Sequence, residues 1–364
     1  MHAARPTLSM LAARCRLFAF SVATLGTAAL PGAARAAETA PETTLKLKAA
    51  HVADESFAWQ KGLERFRDVL RTKSNGTLDV QIYANGVLGS EKDYVQYLVQ
   101  GVLDVATVQP GSASNLAKEI GFLELMYLWK DHDHWQRALD GDVGQKLTEV
   151  LERVTAKGTN PGFRVLGYWG GSEMHVASRK QGYVVAKDLA GVKIRAQESV
   201  VHQEMWSLQG AQPVVLSFQA AMAALQTGVV ECLDSSLFTL LNMKLYEAAP
   251  HISMTGHVAS VRPLFMSGHT WRKLSAAQQK AVLEAAKEAT TLARSLETQQ
   301  ALDAETQLRA KPNVRFYAFK EKQQMRDQTQ GVRQRVAGEV GMTALLEAID
   351  AGWADPGAKT PRKK

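Results

Sequence analysis

The chain reads as an α/β protein of two successive α/β units braced by one long helix. Strand-like and helix-like apolar periods alternate along residues 45 to 108, and a second alternating series opens near Phe163. From His269 to Lys311 there is neither glycine nor proline. The 364 residues are 46% hydrophobic and 22% charged, which excludes disordered, collagen-like and disulfide-scaffold classes and is enough for two cores.

Residues 1–36 stand apart from that pattern. Arg5, Arg14 and Arg16 precede an apolar run from Leu17 to Leu30, and Ala34-Arg35-Ala36 follows as a small-x-small cleavage site. This is the pattern of a cleavable secretory signal peptide, so a periplasmic protein is expected. The apolar run falls short of the 20 or so residues of a membrane helix, and the mature chain is not expected to be membrane-inserted. Losing the leader's four basic residues leaves 39 basic against 36 acidic, a net +3 with histidine neutral. Part of that excess lies in a basic tail, residues 351–364, so no nucleic-acid partner is expected.

Leu45 to Ala50 reads as a strand, and Trp59, Leu63, Phe66 and Leu70 then mark one helix face. Ser74-Asn75-Gly76 stops that helix; Asn75-Gly76-Thr77 also matches a glycosylation acceptor, but the turn role is preferred. Leu78, Val80 and Ile82 alternate as a strand, Glu91 to Gln100 is helical, and Leu103 to Val108 is strand-like. That order implies parallel pairing with crossover helices. In the second unit, Arg164 to Trp169, Met174 to Ser178, Val192 to Arg195 and Val214 to Leu216 read as strands. Ser199 to Gln209 is a helix closed by Gly210, and Ser217 caps a helix that runs to Thr227 and stops at Gly228. Ser275 and Gln278 form a capping box for the long helix, whose face carries Val282, Ala286, Ala289, Ala293 and Leu296. About 35 residues at 1.5 Å rise give roughly 50 Å, long enough to brace two domains. The alternative is a hairpin of two helices with a bend near Glu297 to Gln300.

The chemical motifs are mostly negative. There is no G-x-S-x-G elbow, P-loop, G-x-G-x-x-G, C-x-x-C or H-E-x-x-H, so no cofactor is expected. Asp131-His132-Asp133-His134 could offer metal ligands, but one of its aspartates capping the following helix is preferred and no metal site is expected. Cys15 lies in the leader, leaving Cys232 as the mature chain's one cysteine, read as a small buried hydrophobe rather than a catalytic thiol. Arg195 ends a strand just before a helix, where open α/β sheets place their ligand groups. A guanidinium there can hold a carboxylate through two parallel hydrogen bonds, or be a structural ion pair.

One run joins these observations. Lys187-Asp188-Leu189-Ala190-Gly191-Val192-Lys193-Ile194-Arg195 resembles the D-L-x-G-x-K-x-R segment of the solute-binding proteins of TRAP transporters, the DctP family. Gly210-Ala211-Gln212-Pro213-Val214, Leu216-Ser217-Phe218-Gln219 and Ala224-Leu225-Gln226-Thr227-Gly228-Val229-Val230-Glu231 are similar to its later motifs. Ser74-Asn75-Gly76, Leu88-Gly89-Ser90 and Gly101-Val102-Leu103-Asp104-Val105-Ala106 resemble its earlier ones, and the similarity runs in order from Leu45 to Tyr317.

The resemblance implies a two-domain periplasmic binding protein fold: residues 45–170 plus 261–300 as one domain, 171–260 plus 301–350 as the other. It implies a receptor that closes on a small organic acid and hands it to TRAP membrane subunits, with Arg195 clamping the carboxylate. Many sialic-acid and dicarboxylate binders carry a second arginine on the strand matching Gly171 to His175, where this chain has Glu173 or Met174. A monocarboxylate is therefore expected. Trp169, Glu173 and Phe218 are expected as walls, with Gln109, Ser235 and His51 as polar contributors. The rival readings are a secreted lyase or hydrolase using Glu173, His175 and Asp234, and a protein that presents its ligand to a sensor.

Overall fold

The computed structural model describes residues 44–354, so the expected leader, residues 1–36, lies outside the described residues. Among the described residues nine strands form one mixed sheet: β1 (Leu45–Ala50), β2 (Leu78–Tyr83), β3 (Val105–Thr107), β4 (Phe163–Ser178), β5 (Lys193–Ala196), β6 (Gln212–Val215), β7 (Cys232–Ser236), β8 (His251–Ser267) and β9 (Arg315–Tyr317). Their order is β2-β1-β3-β8-β4-β7-β5-β6, with β9 beside β8. β1 runs parallel to β2 and β3, and β5 parallel to β6 and β7, as expected of strand-helix-strand units.

β4 and β8 are the frame. At 16 and 17 residues they are longer than ordinary strands and pair antiparallel from Phe163↔Ser267 to Ser178↔His251. One end of this ribbon carries β3 through Val105↔Met266, and the other carries β7 through Met174↔Ser236. The two series of strands are thus halves of one continuous sheet joined by two shared strands. The sequence reading split β4 into two strands and passed over β8, whose second half is buried on both faces and so shows no alternation.

The register of β4 on β8 slips between Gly170 and Glu173, where Gly170 and Gly171 have φ of +110° and +102°. A Cβ on Gly170 would stand 2.2 Å from the Ser260 carbonyl oxygen, so glycine is required there.

The helix Ala276–Arg309 is unbroken over 34 residues and opens with the Ser275/Gln278 capping box. The alternative reading, a hairpin of two helices bent near Glu297 to Gln300, does not form; the Glu297 side chain is turned inward and hydrogen-bonded. Val282, Ala286, Ala289 and Ala293 join a core with Leu63, Phe66 and Trp169. Further along, Ala304 and Leu308 join another with Leu225, Leu233 and Leu240. One rigid helix therefore buries its face against both halves of the sheet. A last helix, Thr343–Ala354, runs four residues into the segment expected as a basic tail, and residues from 355 lie outside the described residues.

Candidate functional site

A cavity lined by residues from both halves of the sheet lies at the carboxyl ends of the parallel strands, beside the joint in the β4–β8 ribbon. It encloses about 980 Å³ of empty space, open solvent at its mouth included. Ser90 and Glu91 reach it from the start of the helix Glu91–Gln100, and Gln109 and Ser112 from the turn after β3. Arg195, Gln197 and Glu198 follow β5, Ser217 and Phe218 open the helix Phe218–Thr227, and Asp234 and Ser235 sit on β7. Ser172, Ser260 and Arg262 come from the two long strands, and Glu297 from the long helix.

Of the residues expected at the site, Arg195, Phe218, Gln109 and Ser235 line this cavity. Arg195 is 9% exposed and gives its Nε–H to the Leu216 carbonyl at 3.1 Å. That bond fixes the plane of the guanidinium. Arg195 has no ion pair among the described residues, and burial pulls its pKa down while Asp234 and Glu91 oppose the shift. A buried cation without a carboxylate partner is costly unless an anion joins it.

Trp169, Glu173 and His51 do not line the cavity. Trp169 is fully buried, its ring against Gly62, in one core with Ala293 of the long helix, and its Nε1 donates to Thr290 Oγ1 at 3.0 Å. Glu173 is 44% exposed beside Gly256 and Lys322, because the register slip turns it outward and leaves Met174 facing in. His51 is fully buried with Nε2 bonded to Gln60 Oε1 at 2.8 Å, and burial lowers its pKa, so it stays neutral at pH 7. The walls beside Phe218 are instead Met174, Met222 and Leu233.

The cavity's second guanidinium was not foreseen. Arg262 is 1% exposed, pairs with Glu91, donates to the Thr107 carbonyl at 3.3 Å, and stacks 3.7 Å from the centroid of the Trp59 ring. A lone charge inside the apolar run Val261 to Phe265 was the available signal. Glu297, also unforeseen, accepts from Ser172 at 2.6 Å and Ser260 at 3.1 Å through one oxygen and from Trp59 Nε1 at 3.3 Å through the other.

Asp234 is held between two histidines, His202 Nε2 at 3.1 Å and His257 Nε2 at 3.3 Å. Burial opposes its ionisation, but the two imidazoles outweigh it and keep the carboxyl well below the usual range. Glu173 comes within 4.0 Å of His175 Nε2, but Asp234 is held by His202 and His257 and Glu173 lies outside the cavity, so the three do not converge. Asp131 caps its helix by accepting the His134 N–H at 2.7 Å. Cys232 is fully buried, and burial raises its thiol pKa.

Residues 49–339 match the family model described as bacterial extracellular solute-binding protein, family 7, DctP. The chain belongs to that family. It is 32% identical over 307 residues to a solute-binding protein of Sulfitobacter sp. strain NAS-14.1, covering 84% of this chain and 91% of that one. A TRAP periplasmic solute-binding protein of Sulfitobacter sp. NAS-14.1, solved with α-D-taluronate, superposes with a TM-score of 0.78 at 30% identity over 84% of this chain and 97% of its own. Another from Pseudomonas putida F1, solved with D-glucuronate, gives 0.79 at 26% over 88% of this chain and all of its own. The DctP chain described here thus has the two-domain fold of TRAP solute receptors, and its similar structures are binding proteins rather than enzymes.

Proposed function

We propose that this DctP protein is a periplasmic receptor for a sugar acid with one carboxylate, a hexuronate or close relative, which it delivers to the membrane subunits of a TRAP transporter. The observation that carries this reading is Arg195: a buried, oriented guanidinium at the cavity with no carboxylate partner among the described residues. A ligand carboxylate supplies the missing anion through two parallel hydrogen bonds. Hydroxyl groups suit the rest of the lining, where carboxylates, amides and serines accept or donate, and the apolar edge of a pyranose suits Phe218 and Met222. Several similar structures were solved with hexuronates and one with the aldonate D-erythronate, each an acid with one carboxylate, which fits the same chemistry.

In this reading residues 1–36 export the chain and are removed. The halves 45–170 plus 261–300 and 171–260 plus 301–350 close on the ligand by bending β4 and β8 near Gly170 and Ser260. The test is a thermal-shift panel on the chain from Ala37, with hexuronates, aldonates, neutral hexoses and C4-dicarboxylates. A ligand at 100 times its Kd adds about 2.7 kcal/mol of stability. A rise in Tm with a hexuronate and none with the matching hexose supports the reading. A rise with dicarboxylates alone, or with neutral sugars alone, overturns it.

A further inference from the structure

The cavity holds two buried guanidiniums in different states. Arg195 has no carboxylate partner among the described residues, whereas Arg262 is already paired with Glu91. The side chains of that pair are 2% and 8% exposed, so the ion pair is a fixed part of the wall. Glu91 is pinned from its other side, where Oε2 accepts the Gln109 N–H at 3.1 Å and the Ser112 hydroxyl at 3.2 Å. Arg262 is pinned by the Thr107 carbonyl and by stacking on Trp59. We propose that Glu91 acts as a built-in carboxylate that occupies Arg262, so that the cavity accepts sugar acids with one carboxylate and turns away the corresponding diacids. Glu91 is thereby a specificity-determining residue.

The charge of the lining points the same way. Arg195 and Arg262 face four carboxylates, those of Glu91, Glu198, Asp234 and Glu297. One arriving carboxylate has Arg195 to meet it. A second would find its only other cation paired and would lie among fixed anions in a poorly solvated site, where like charges repel strongly. Selection against diacids was expected from sequence through Glu173, but Glu173 lies outside the cavity, and Glu91 supplies the reason instead. Neutralising Glu91 leaves Arg262 as a second buried cation without a carboxylate.

This inference rests on the sugar-acid reading, and the experiment separates the two. Affinities for D-glucuronate and for the diacid D-glucarate, and for D-galacturonate and galactarate, are measured by calorimetry on the wild type, on Glu91→Gln and on Glu91→Gln/Arg262→Gln. The wild type is expected to bind its preferred hexuronate at least 100-fold more tightly than the matching diacid. Glu91→Gln should raise diacid affinity at least tenfold relative to the hexuronate, and the double variant should lose that gain. A diacid that binds wild type within threefold of the hexuronate overturns the role of Glu91 while leaving Arg195 as anchor, and this arm needs no variant to fold. An unchanged diacid affinity in a folded Glu91→Gln protein overturns it as well. Wild type that binds neither class removes the sugar-acid reading and this inference with it.

Discussion

Ser172 donates a 2.6 Å hydrogen bond to Glu297, 125 positions further along the chain, tying the long helix to β4 at the point where its register slips. Ser260, opposite on β8, shares the same carboxylate oxygen at 3.1 Å, and Trp59 takes the other. One buried carboxylate therefore clamps both shared strands and the first helix to the brace. Hydrogen bonds to a charged acceptor are worth roughly 1.5 to 3 kcal/mol each, and those at one carboxylate do not add fully. Glu297→Ala is expected to lower unfolding stability by about 2 to 4 kcal/mol in urea titrations. Glu297→Gln, which keeps an acceptor, should lose less than half as much. A loss below 0.5 kcal/mol for the alanine variant would remove the clamp from this account.

Trp169 is a structural residue. Its ring packs against Gly62 on the first helix, where a Cβ would stand 2.7 Å from it, and shares a core with Ala293 of the brace. Gly62→Ala should therefore destabilise through overpacking by about 1 to 3 kcal/mol, although alanine favours helix over glycine. Trp169→Ala should cost about 3 to 5 kcal/mol. Neither change is expected to move the affinity of a bound sugar acid by more than threefold once the protein is folded. A selective loss of binding in folded Trp169→Ala would return Trp169 to the ligand site.

Burial lowers the pKa of His175 from 6.5 to about 3, with His257 and Lys322 adding to the shift. Below pH 6.5 the unfolded chain takes up a proton that the folded chain refuses, so this residue makes stability fall as pH drops from 6.5 towards 3. The slope is about 1.4 kcal/mol per pH unit. The pKa values of His51, His134 and His257 are shifted in the same direction. His175→Asn keeps an acceptor for the Gly256 N–H without the titration. Denaturation midpoints between pH 6 and 4 should fall less steeply for this variant than for wild type; parallel slopes would contradict the assignment.

Local rules made most elements readable. The helix Glu91–Gln100 and the strand Leu45–Ala50 have the expected limits, and the helix after Ser217 ends at a left-handed Gly228, because caps and periodicity are set by neighbours in sequence. β8 was missed because its second half, buried on both faces, has no period to read. The site divides on similar grounds. Arg195 and Gln109 were placed by their position at strand ends, which the fold class dictates, and Phe218 and Ser235 by the family resemblance. Trp169 and Glu173 were misplaced because the slip at Gly170 and Gly171 decides which face of β4 each side chain takes. Glu91, Arg262 and Glu297 come from distant segments, and only the sheet brings them together.

The proposed anchor is the Arg195 guanidinium, which holds a sugar acid by its carboxylate. The direct measurement is calorimetric titration of the preferred hexuronate, beside its neutral hexose, into wild type, Arg195→Lys and Arg195→Ala. Removing one member of a buried, hydrogen-bonded charge pair costs about 2 to 5 kcal/mol, so Arg195→Ala should bind the acid at least 30-fold more weakly. Arg195→Lys should fall between, keeping the charge and losing the paired hydrogen bonds. Wild-type affinity in folded Arg195→Ala, or equal binding of acid and hexose by the wild type, would contradict the claim.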